Sequence, residues 1–345
     1  MADPTHSTTA APPPEHTAMQ SLINGYRVTQ LLYVAVKLGI ADLLADGPQT
    51  MEELAATTDA QADALYRALR ALASFGVFRE VAPRRFALTP LAELLRTDHP
   101  YSLCAAILVQ GEEAYRAWGE LLYSLRTGAP AFDQAYGMPH FDYLAHHAEA
   151  SAVFNRTMSE NTARSVTALV SAYAFPTSGV VVDVGGGHGA FLAAVLQAHP
   201  GLRGVLFDQP HVVEGSAPTL EAAGVEERCV QVGGDFFTPP LPAGDLYLLR
   251  QVIHDWDDAR SSAILRHCAQ AMAQDGKILV IEALIPSGND PSPVKLLDMQ
   301  MLVMTGGRQR TEEEYRQLYA TAGLRLLRIL PTTTQFSIVE GARVE

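Results

Sequence analysis

Apolar residues recur at helical spacing in the first part of the chain. Between residues 19 and 44 they return every three or four positions, and Gly47 and Pro48 end the pattern. Thr50 and Glu53 have the spacing of a capping box, which predicts the start of a second helix. A further helix and two short strands joined at Pro83 follow, and this order is typical of a winged helix.

The second half of the chain has a different pattern. Residues 101–174 predict several more helices, with a break near residues 137–139. After Thr177, strand and helix patterns alternate, which is typical of a doubly wound parallel sheet covered on both faces. The predicted strands are 180–184, 203–207, 229–232, 245–252, 278–283, 324–330 and 336–342. Because the connection PTTTQ is too short for a helix, the last strand is expected to run antiparallel to the one before it.

Composition removes several classes of protein. The net charge is −13, and the winged-helix stretch has as many acidic as basic residues, so a packing or dimerisation module is favoured over a DNA-reading one. The three cysteines, Cys104, Cys229 and Cys268, form no CxxC pair, which favours a reducing compartment without a disulfide framework or zinc site. No apolar run reaches the roughly 18 residues of a membrane span. The polar N-terminus has no signal-peptide core, so we expect a cytoplasmic protein.

The stretch VVDVGGGHGAFLAA joins the first predicted strand of the alternating region to a helix. Gly185, Gly187 and Ala190 match a dinucleotide-binding pattern, which is weak by itself. Asp183 with the glycines also matches an acid-x-G-x-G-x-G pattern. A carboxylate at this place repels a pyrophosphate and attracts an ammonium group, such as the one carried by S-adenosylmethionine.

Three further strands also end in candidate site residues, and those of the second and third strands suit a nucleoside. Asp208 ends the second strand and can accept both ribose hydroxyls, in NAD or in S-adenosylmethionine alike. The block GGDFF, with Gly234, Asp235 and Phe236, follows the third strand and suits an adenine amino group and ring. Arg250 ends the fourth strand. A strand-end acid often only caps the next helix, but ligands of open α/β sheets bind at this edge, and several such residues together predict a site.

The order of the motifs VVDVGGGHG, LFDQPHVV, GGDFF, RQVIHDWDD, ILVIEALIP and TGGRQRT resembles the small-molecule O-methyltransferases of the plant caffeate and isoflavone, acetylserotonin and bacterial polyketide type. The resemblance covers nearly the whole chain. It implies a seven-stranded class I methyltransferase domain with an N-terminal α-helical winged-helix dimerisation domain. It also implies a homodimer that uses S-adenosylmethionine and no metal, with no nucleic-acid or membrane partner.

With this resemblance, we divide the chain into four parts. These are a disordered tail (1–18), a winged-helix-like dimerisation domain (19–110), a helical linker that contributes to the substrate pocket (111–175) and an S-adenosylmethionine-binding catalytic domain (176–345).

The resemblance also implies roles for individual residues. His254, in the HDW block, corresponds to the catalytic base, and Glu282, at the end of the neighbouring strand, to the acid that steadies it. Residues implied to bind the cofactor are Asp183, Gly185, Gly187, Asp208, Gly234, Asp235, Phe236 and Arg250. Residues expected to contact the acceptor are Met158, Asn161, Asp298 and Met304, within segments 101–161 and 297–307.

One position departs from the family pattern. The acid of the GGxER block is replaced by Gln309, which can orient an imidazole but cannot stabilise an imidazolium by charge. Asp255 is expected to point away from His254 because successive side chains usually diverge, Trp256 is expected to pack, and Asp258 is expected to cap the next helix.

The sequence therefore predicts methyl transfer from S-adenosylmethionine to a hydroxyl of a small phenolic or polyketide-like metabolite. His254 would remove the hydroxyl proton. Three other functions stay open: a relative that binds S-adenosylmethionine for hydroxylase or cyclase chemistry, a winged-helix transcription regulator, and a nicotinamide-dependent dehydrogenase.

Overall fold

The computed structural model describes residues 13–344, and the chain divides into one compact unit that ends at Glu112 and another that begins at Glu113. Most of the predicted disordered tail (1–18) lies outside the described residues. Its last part is wrong, because the first helix begins at Pro14, and proline is favoured at the first position of a helix.

The first unit is mainly helical. Its helices are α1 (Pro14–Lys37), α2 (Ile40–Leu43), α3 (Met51–Thr58), α4 (Ala62–Ser74), α5 (Pro90–Glu93) and α6 (Cys104–Gly111). Three short antiparallel strands in the order β1-β3-β2 complete it: β1 (Gln49–Thr50), β2 (Phe78–Ala82) and β3 (Arg85–Leu88). The predicted winged helix is therefore confirmed, with Pro83 in the turn between β2 and β3.

The capping box predicted at the start of α3 is confirmed. The Glu53 N–H donates to Thr50 Oγ1 at 3.3 Å, and the Thr50 N–H donates to Glu53 Oε2 at 2.7 Å. Met51 and Leu54 of α3 pack with Leu69 of α4 in the apolar core of this unit.

Five helices open the second unit. They are α7 (Glu113–Gly119), α8 (Leu121–Thr127), α9 (Ala131–Tyr136), α10 (His140–His146) and α11 (Ala148–Ala172). The break predicted near residues 137–139 is confirmed, because Gly137 ends α9 in a left-handed conformation and Pro139 precedes α10.

A seven-stranded sheet forms the centre of the second unit, in the order β6-β5-β4-β7-β8-β10-β9. The strands are β4 (Gly179–Val184), β5 (Leu202–Asp208), β6 (Cys229–Gly233), β7 (Gly244–Arg250), β8 (Met272–Glu282), β9 (Leu324–Pro331) and β10 (Ser337–Arg343). Strands β4 to β8 are parallel, whereas β10 runs antiparallel to both β8 and β9. The doubly wound fold and the antiparallel last strand are both confirmed.

Helices cover both faces of this sheet, and each face has its own apolar cluster. They are α12 (Ala190–Ala198), α13 (Pro210–Val213), α14 (Ala217–Ala222), α15 (Asp258–Ala271), α16 (Pro293–Met304) and α17 (Glu312–Thr321), with 3-10 turns at Glu226–Arg228 and Ile253–Asp255. Val182 and Leu248 are fully buried, as expected for parallel strands between two helical layers.

Two further sequence expectations concern the whole chain. Cys104, Cys229 and Cys268 are buried, and none of the three is in a disulfide bond. Among residues 13–344, we find no helix with the length and apolarity required to cross a bilayer.

We expect Thr50→Ala to lower the free energy of unfolding by about 1 kcal/mol, because the side chain that caps α3 is lost. Thr57→Ala is the matched control: Thr57 is exposed on the same helix, and alanine there raises helix propensity by roughly 0.5 kcal/mol or less. Urea denaturation of both variants checks this. Equal effects of the two substitutions would contradict the role of the cap.

Candidate functional site

Four neighbouring strands deliver charged residues to one edge of the large sheet. Asp183 lies near the end of β4, Asp208 ends β5, Arg250 ends β7 and Glu282 ends β8. Because these strands are parallel, their carboxyl ends meet at the same edge. A cavity opens there, and Asp183, Asp208 and Arg250 line it.

The glycine loop between β4 and α12 forms one wall of this cavity. Gly185 and Gly187 have φ values of 69° and 58°, which a residue with a side chain rarely adopts. Asp208 holds the loop in place, since its Oδ2 accepts the Gly187 N–H at 2.8 Å and its Oδ1 accepts the Gln209 N–H at 2.7 Å. Asp208 therefore supports the loop and also faces the cavity.

Asp183 and Arg250 are opposite charges with unmet hydrogen-bonding capacity. Asp183 Oδ2 and Arg250 Nε are buried without a partner. Burial raises the pKa of Asp183 to about 7 against the attraction of Arg250, and burial lowers the pKa of Arg250 to about 10. The cavity thus presents one acceptor and one donor whose charged forms a ligand would stabilise.

Helix α11 forms the facing wall through residues spaced three or four apart. Asn155, Met158 and Thr162 line the cavity. Arg250 reaches across to this helix, where it donates to Thr162 Oγ1 at 2.8 Å and to Ser165 Oγ at 3.1 Å. The predicted Asn161 is one position away from this face and lies beside Arg164 instead.

Aromatic rings close one end of the cavity. Phe236 and Trp256 meet edge to face with their centroids 5.8 Å apart, and Phe141 stacks on Trp256 at 5.8 Å. Trp256, expected only to pack, is therefore a wall residue. The predicted Gly234 and Asp235 line an adjoining groove, where the Asp235 carboxylate accepts the Phe237 N–H at 2.9 Å.

His254 and Glu282 come together as predicted, at the ends of adjacent strands. Glu282 Oε2 lies 3.0 Å from His254 Nδ1, and Oε1 accepts the His254 backbone N–H at 3.2 Å. His254 is 5% exposed and Glu282 is fully buried. A carboxylate only accepts hydrogen bonds, so we assign the proton of the neutral ring to Nδ1, which leaves the lone pair on Nε2.

A second carboxylate faces the other ring nitrogen. The expectation that Asp255 points away is wrong, because the 3-10 turn brings its Oδ1 within 3.8 Å of His254 Nε2. Burial alone would lower the pKa of His254, but Glu282 and then Asp255 raise it to about 9. Burial also raises the pKa of Asp255 to about 7. Asp255 lines the cavity, whereas His254 lies next to the wall rather than in it.

Gln309 occupies the remaining side of the imidazole. Its side-chain Nε2 lies 2.7 Å from His254 Nδ1, and its backbone N–H donates to Asp298 Oδ1 at 2.8 Å. A proton on Nδ1 requires the flipped amide orientation, in which the oxygen faces the ring. Asp298 therefore supports Gln309. Met304 is not among the residues that line the cavity and packs with Phe132 and Val303 in an apolar cluster.

The segment that contains Gln309 lies directly on the His254 turn. The Arg308 N–H donates to the His254 carbonyl at 2.8 Å, and a Cβ at Gly307 would lie 2.0 Å from that same carbonyl oxygen. Only glycine permits this approach. The helix cap after the turn is also corrected: Asp257, not Asp258, accepts the Arg260 N–H, at 2.8 Å, and caps α15.

Sequence reasoning missed several cavity residues. Phe154 and Thr162 could have been found from the helical phase of Met158, and Asp255 and Trp256 from their place beside His254. Gln251 also lines the cavity, with a φ of 54° that turns the chain out of β7; no sequence signal predicts this. Within residues 13–344, no group of three or more His, Cys, Asp or Glu side chains is arranged to hold a metal ion.

Comparison with known families gives two matches. Residues 118–325 match an O-methyltransferase domain, and residues 20–98 match an O-methyltransferase dimerisation domain.

Individual relatives agree along nearly the whole chain. The chain is 47% identical to a phenazine O-methyltransferase of Lysobacter antibioticus, over 98% of this chain and 99% of the relative. It is 43% identical to an O-demethylpuromycin-O-methyltransferase of Streptomyces alboniger, over 98% and 93%. It is also 34% identical, over 93% and 96%, to a phenazine-1-carboxylate N-methyltransferase of Pseudomonas aeruginosa.

Solved structures are similar in fold. LaPhzM has a TM-score of 0.92 with 47% identity, over 96% of this chain and all of that chain. NcsB1 from neocarzinostatin biosynthesis, in complex with S-adenosylmethionine and 2-hydroxy-5-methyl naphthoic acid, has a TM-score of 0.84 with 35% identity, over 92% and 96%.

We expect Gly307→Ala to lower the free energy of unfolding by about 1–3 kcal/mol, because the added methyl group overlaps the His254 carbonyl. Gly119→Ala is the control, since a Cβ there has no neighbour within 4 Å. Thermal denaturation compares the two variants. A Gly307→Ala protein as stable as Gly119→Ala would show that the contact is not tight.

Proposed function

The chain belongs to the O-methyltransferase family, and we propose that it transfers a methyl group from S-adenosylmethionine to a hydroxyl of a small aromatic metabolite, with His254 as the base. The observation that carries this proposal is the His254 imidazole held by the buried Glu282 beside a cavity that contains Asp183 and Arg250.

The buried polar atoms of the cavity that have no hydrogen-bond partner fit the methionine end of S-adenosylmethionine. Asp183 Oδ2 would accept from the α-ammonium, and Arg250 Nε would donate to the α-carboxylate. A dinucleotide pyrophosphate carries no ammonium for Asp183. The glycine loop leaves room for the backbone to approach a ligand closely.

The nucleoside end is assigned to the outer strands. Asp208, which lines the cavity, would hold the ribose, and Phe236 would lie against the adenine. Gly234 and Asp235 would border the adenine from the adjoining groove, where the Asp235 carboxylate also shapes the loop. S-adenosylmethionine supplies an electrophilic methyl group on a sulfonium.

The role of His254 is to take a proton from the acceptor hydroxyl at Nε2. A phenol with a pKa of about 10 is mostly neutral at physiological pH, so removal of its proton as the oxygen attacks accelerates transfer. Glu282 keeps the ring oriented and stabilises the imidazolium, and the uncharged Gln309 amide contacts Nδ1. An acceptor that reaches Nε2 passes beside Asp255, which is 3.8 Å from that atom.

The wall of α11 and the aromatic end define the acceptor. Phe141, Phe154 and Trp256 offer flat apolar surfaces, and Met158 adds an adaptable one. These side chains suit a planar aromatic ring. Some relatives are named for N-methylation, so aromatic amines form a second class of acceptor to compare.

The experiment is a screen of phenols and aromatic amines with methyl-labelled S-adenosylmethionine, analysed by mass spectrometry. We expect a product heavier by one methyl group from a phenol. A hydroxylated or cyclised product without the label would replace methyl transfer by the alternative chemistry. Calorimetry that detects no binding of S-adenosylmethionine, together with binding of NADH, would overturn the proposal entirely.

For any phenol that is methylated, we expect His254→Ala to lower kcat by about 10²- to 10⁴-fold, with cofactor affinity unchanged. Some activity remains because positioning of the two reactants still contributes. His146→Ala is the control, since His146 is exposed at the end of α10. Full activity of the His254→Ala protein would remove the base role.

We expect kcat/KM to rise with pH and to level off near pH 9, because burial and the carboxylates together place the pKa of His254 at about 9 and only the neutral ring accepts a proton. Glu282→Gln removes the larger of the two charges that raise the pKa of His254, so the rise of kcat/KM should move to lower pH. A pH–rate profile of both proteins measures it. If the rise of kcat/KM occurs at the same pH in the Glu282→Gln protein, the titrating group is not His254.

The first unit supports the proposed homodimer. Met19, Leu22, Ile23 and Tyr26 form one face of α1, and more than half of each side chain's surface is exposed. Apolar residues in this arrangement need a partner surface. This helix overlaps the segment that matches the family's dimerisation domain.

We expect Leu22→Asp to convert the dimer to a monomer, because a carboxylate would enter an apolar interface. Gln20→Asp adds the same charge on a neighbouring position of α1 and should leave the dimer intact. Light scattering after size-exclusion chromatography gives both masses. A dimeric Leu22→Asp protein would place the interface elsewhere.

A further inference from the structure

Arg310 is a fully buried cation that binds the turn containing His254. Its Nη1 donates to the Ile253 carbonyl at 3.1 Å, and its Nη2 donates to the Trp256 carbonyl at 2.9 Å. These two carbonyls flank His254 and Asp255 in the chain. One guanidinium therefore fixes both ends of the turn.

The same guanidinium continues into the helix that follows. Nε and Nη2 donate to Asp258 Oδ1 at 2.9 and 2.8 Å, and Nη2 also donates to Ser261 Oγ at 3.1 Å. Asp258, which does not cap α15, balances the charge of Arg310. Only a planar group with several donors can satisfy carbonyls and a carboxylate in this way, and a lysine ammonium cannot.

The backbone of Arg310 contacts the chain segment that follows Glu282. Its carbonyl accepts the Ile285 N–H at 3.0 Å, and it pairs with Leu284 in an isolated parallel bridge. Leu284 lies two residues after Glu282 in the extension of β8. Arg310 therefore connects the chain that carries Glu282 to the turn that carries His254.

We propose that Arg310 is the positioning residue that holds His254 against Glu282 during methyl transfer. The inference rests on the proposed function, because it assigns a role within the same reaction. Arg310 touches neither the cavity nor a reacting atom. Its effect passes through the geometry of the turn and through its charge.

The charge of Arg310 opposes the two carboxylates at His254. Glu282 on β8 and Asp255 on the turn raise the pKa of the buried imidazole, whereas Arg310 lowers it. Tyr315 of α17 is a further titratable neighbour of Arg310, besides Asp258, and burial raises its pKa well above the ordinary value, so it stays neutral. Removal of the Arg310 charge should therefore raise the pKa of His254.

Two substitutions separate geometry from charge. Arg310→Lys keeps the charge and loses the fork of donors, whereas Arg310→Gln loses both. Arg308→Gln is the matched control, because the Arg308 side chain is exposed and pairs with Asp258 at 3.6 Å and with Glu314. The readouts are the ¹⁵N titration of the His254 ring, assigned by its absence in His254→Ala, together with kcat, the KM for S-adenosylmethionine and thermal stability.

For Arg310→Gln we expect a higher His254 pKa, a kcat limb displaced to higher pH and a kcat lower by about 10²-fold, as for a misplaced catalytic group. Arg310→Lys should titrate close to the wild type but still show a reduced kcat with unchanged KM. Arg308→Gln should match the wild type in all readouts.

A folded Arg310→Gln protein with the wild-type His254 titration and wild-type kcat overturns the inference. If that variant does not fold, Arg310→Lys decides alone: wild-type kcat overturns the inference, and a reduced kcat with unchanged KM supports it. The ring titration needs no turnover. A shifted titration in an enzyme whose activity does not depend on His254 would reject the proposed base and, with it, the role of Arg310 in methyl transfer, while an unshifted titration in an enzyme that does depend on His254 would overturn the action of Arg310 alone.

Discussion

The contact between the His254 imidazole and the Glu282 carboxylate sets the requirements for the surrounding structure. Both groups are removed from water, so each needs a defined partner, and the parallel register of β7 and β8 supplies it. Arg250 pairs with Ile281, and the chain then turns at Gln251 back across the end of β8. This turn is short and exposes backbone carbonyls inside the protein, which the backbone N–H of Arg308 and the side chain of Arg310 satisfy.

A second consequence concerns the cavity next to this pair. Asp183 and Arg250 are buried with atoms that have no partner in the protein, which raises the free energy of their charged forms. Bound ammonium and carboxylate groups would relieve this condition, which supports the proposal of a zwitterionic ligand. Arg250 also binds Thr162 and Ser165 of α11. The helix that would form the proposed acceptor wall is thus held by the same cation that would face the cofactor.

The departure at Gln309 changes the charge around the imidazole without removing its support. The amide and Glu282 both face Nδ1, so Glu282 is the carboxylate that stabilises a charged ring at this nitrogen. Asp255 faces Nε2, the atom proposed to take the proton, and it stands on the cavity wall. The two ring nitrogens therefore meet carboxylates in different settings, one fully buried and one next to the acceptor.

The residue pattern by itself determined the winged helix, the parallel sheet with its antiparallel last strand, and the strand-end residues Asp183, Asp208 and Arg250. These features follow from local periodicity and from the rule that parallel strands end at one edge. Periodicity and this rule are both independent of side-chain packing. The pairing of His254 with Glu282 was predictable for the same reason.

Only the tertiary structure decided which neighbours of a predicted position face the cavity. Thr162 shares the helical phase of Met158, but the rotation of α11 decides that this phase, and not that of Asn161, faces the cavity. The approach of Asp255 to His254 depends on a 3-10 turn. The roles of Asp298 and Arg310 depend on contacts between segments distant in the chain. Such contacts are set by how helices pack on the sheet, and the order of residues within one segment does not encode that packing.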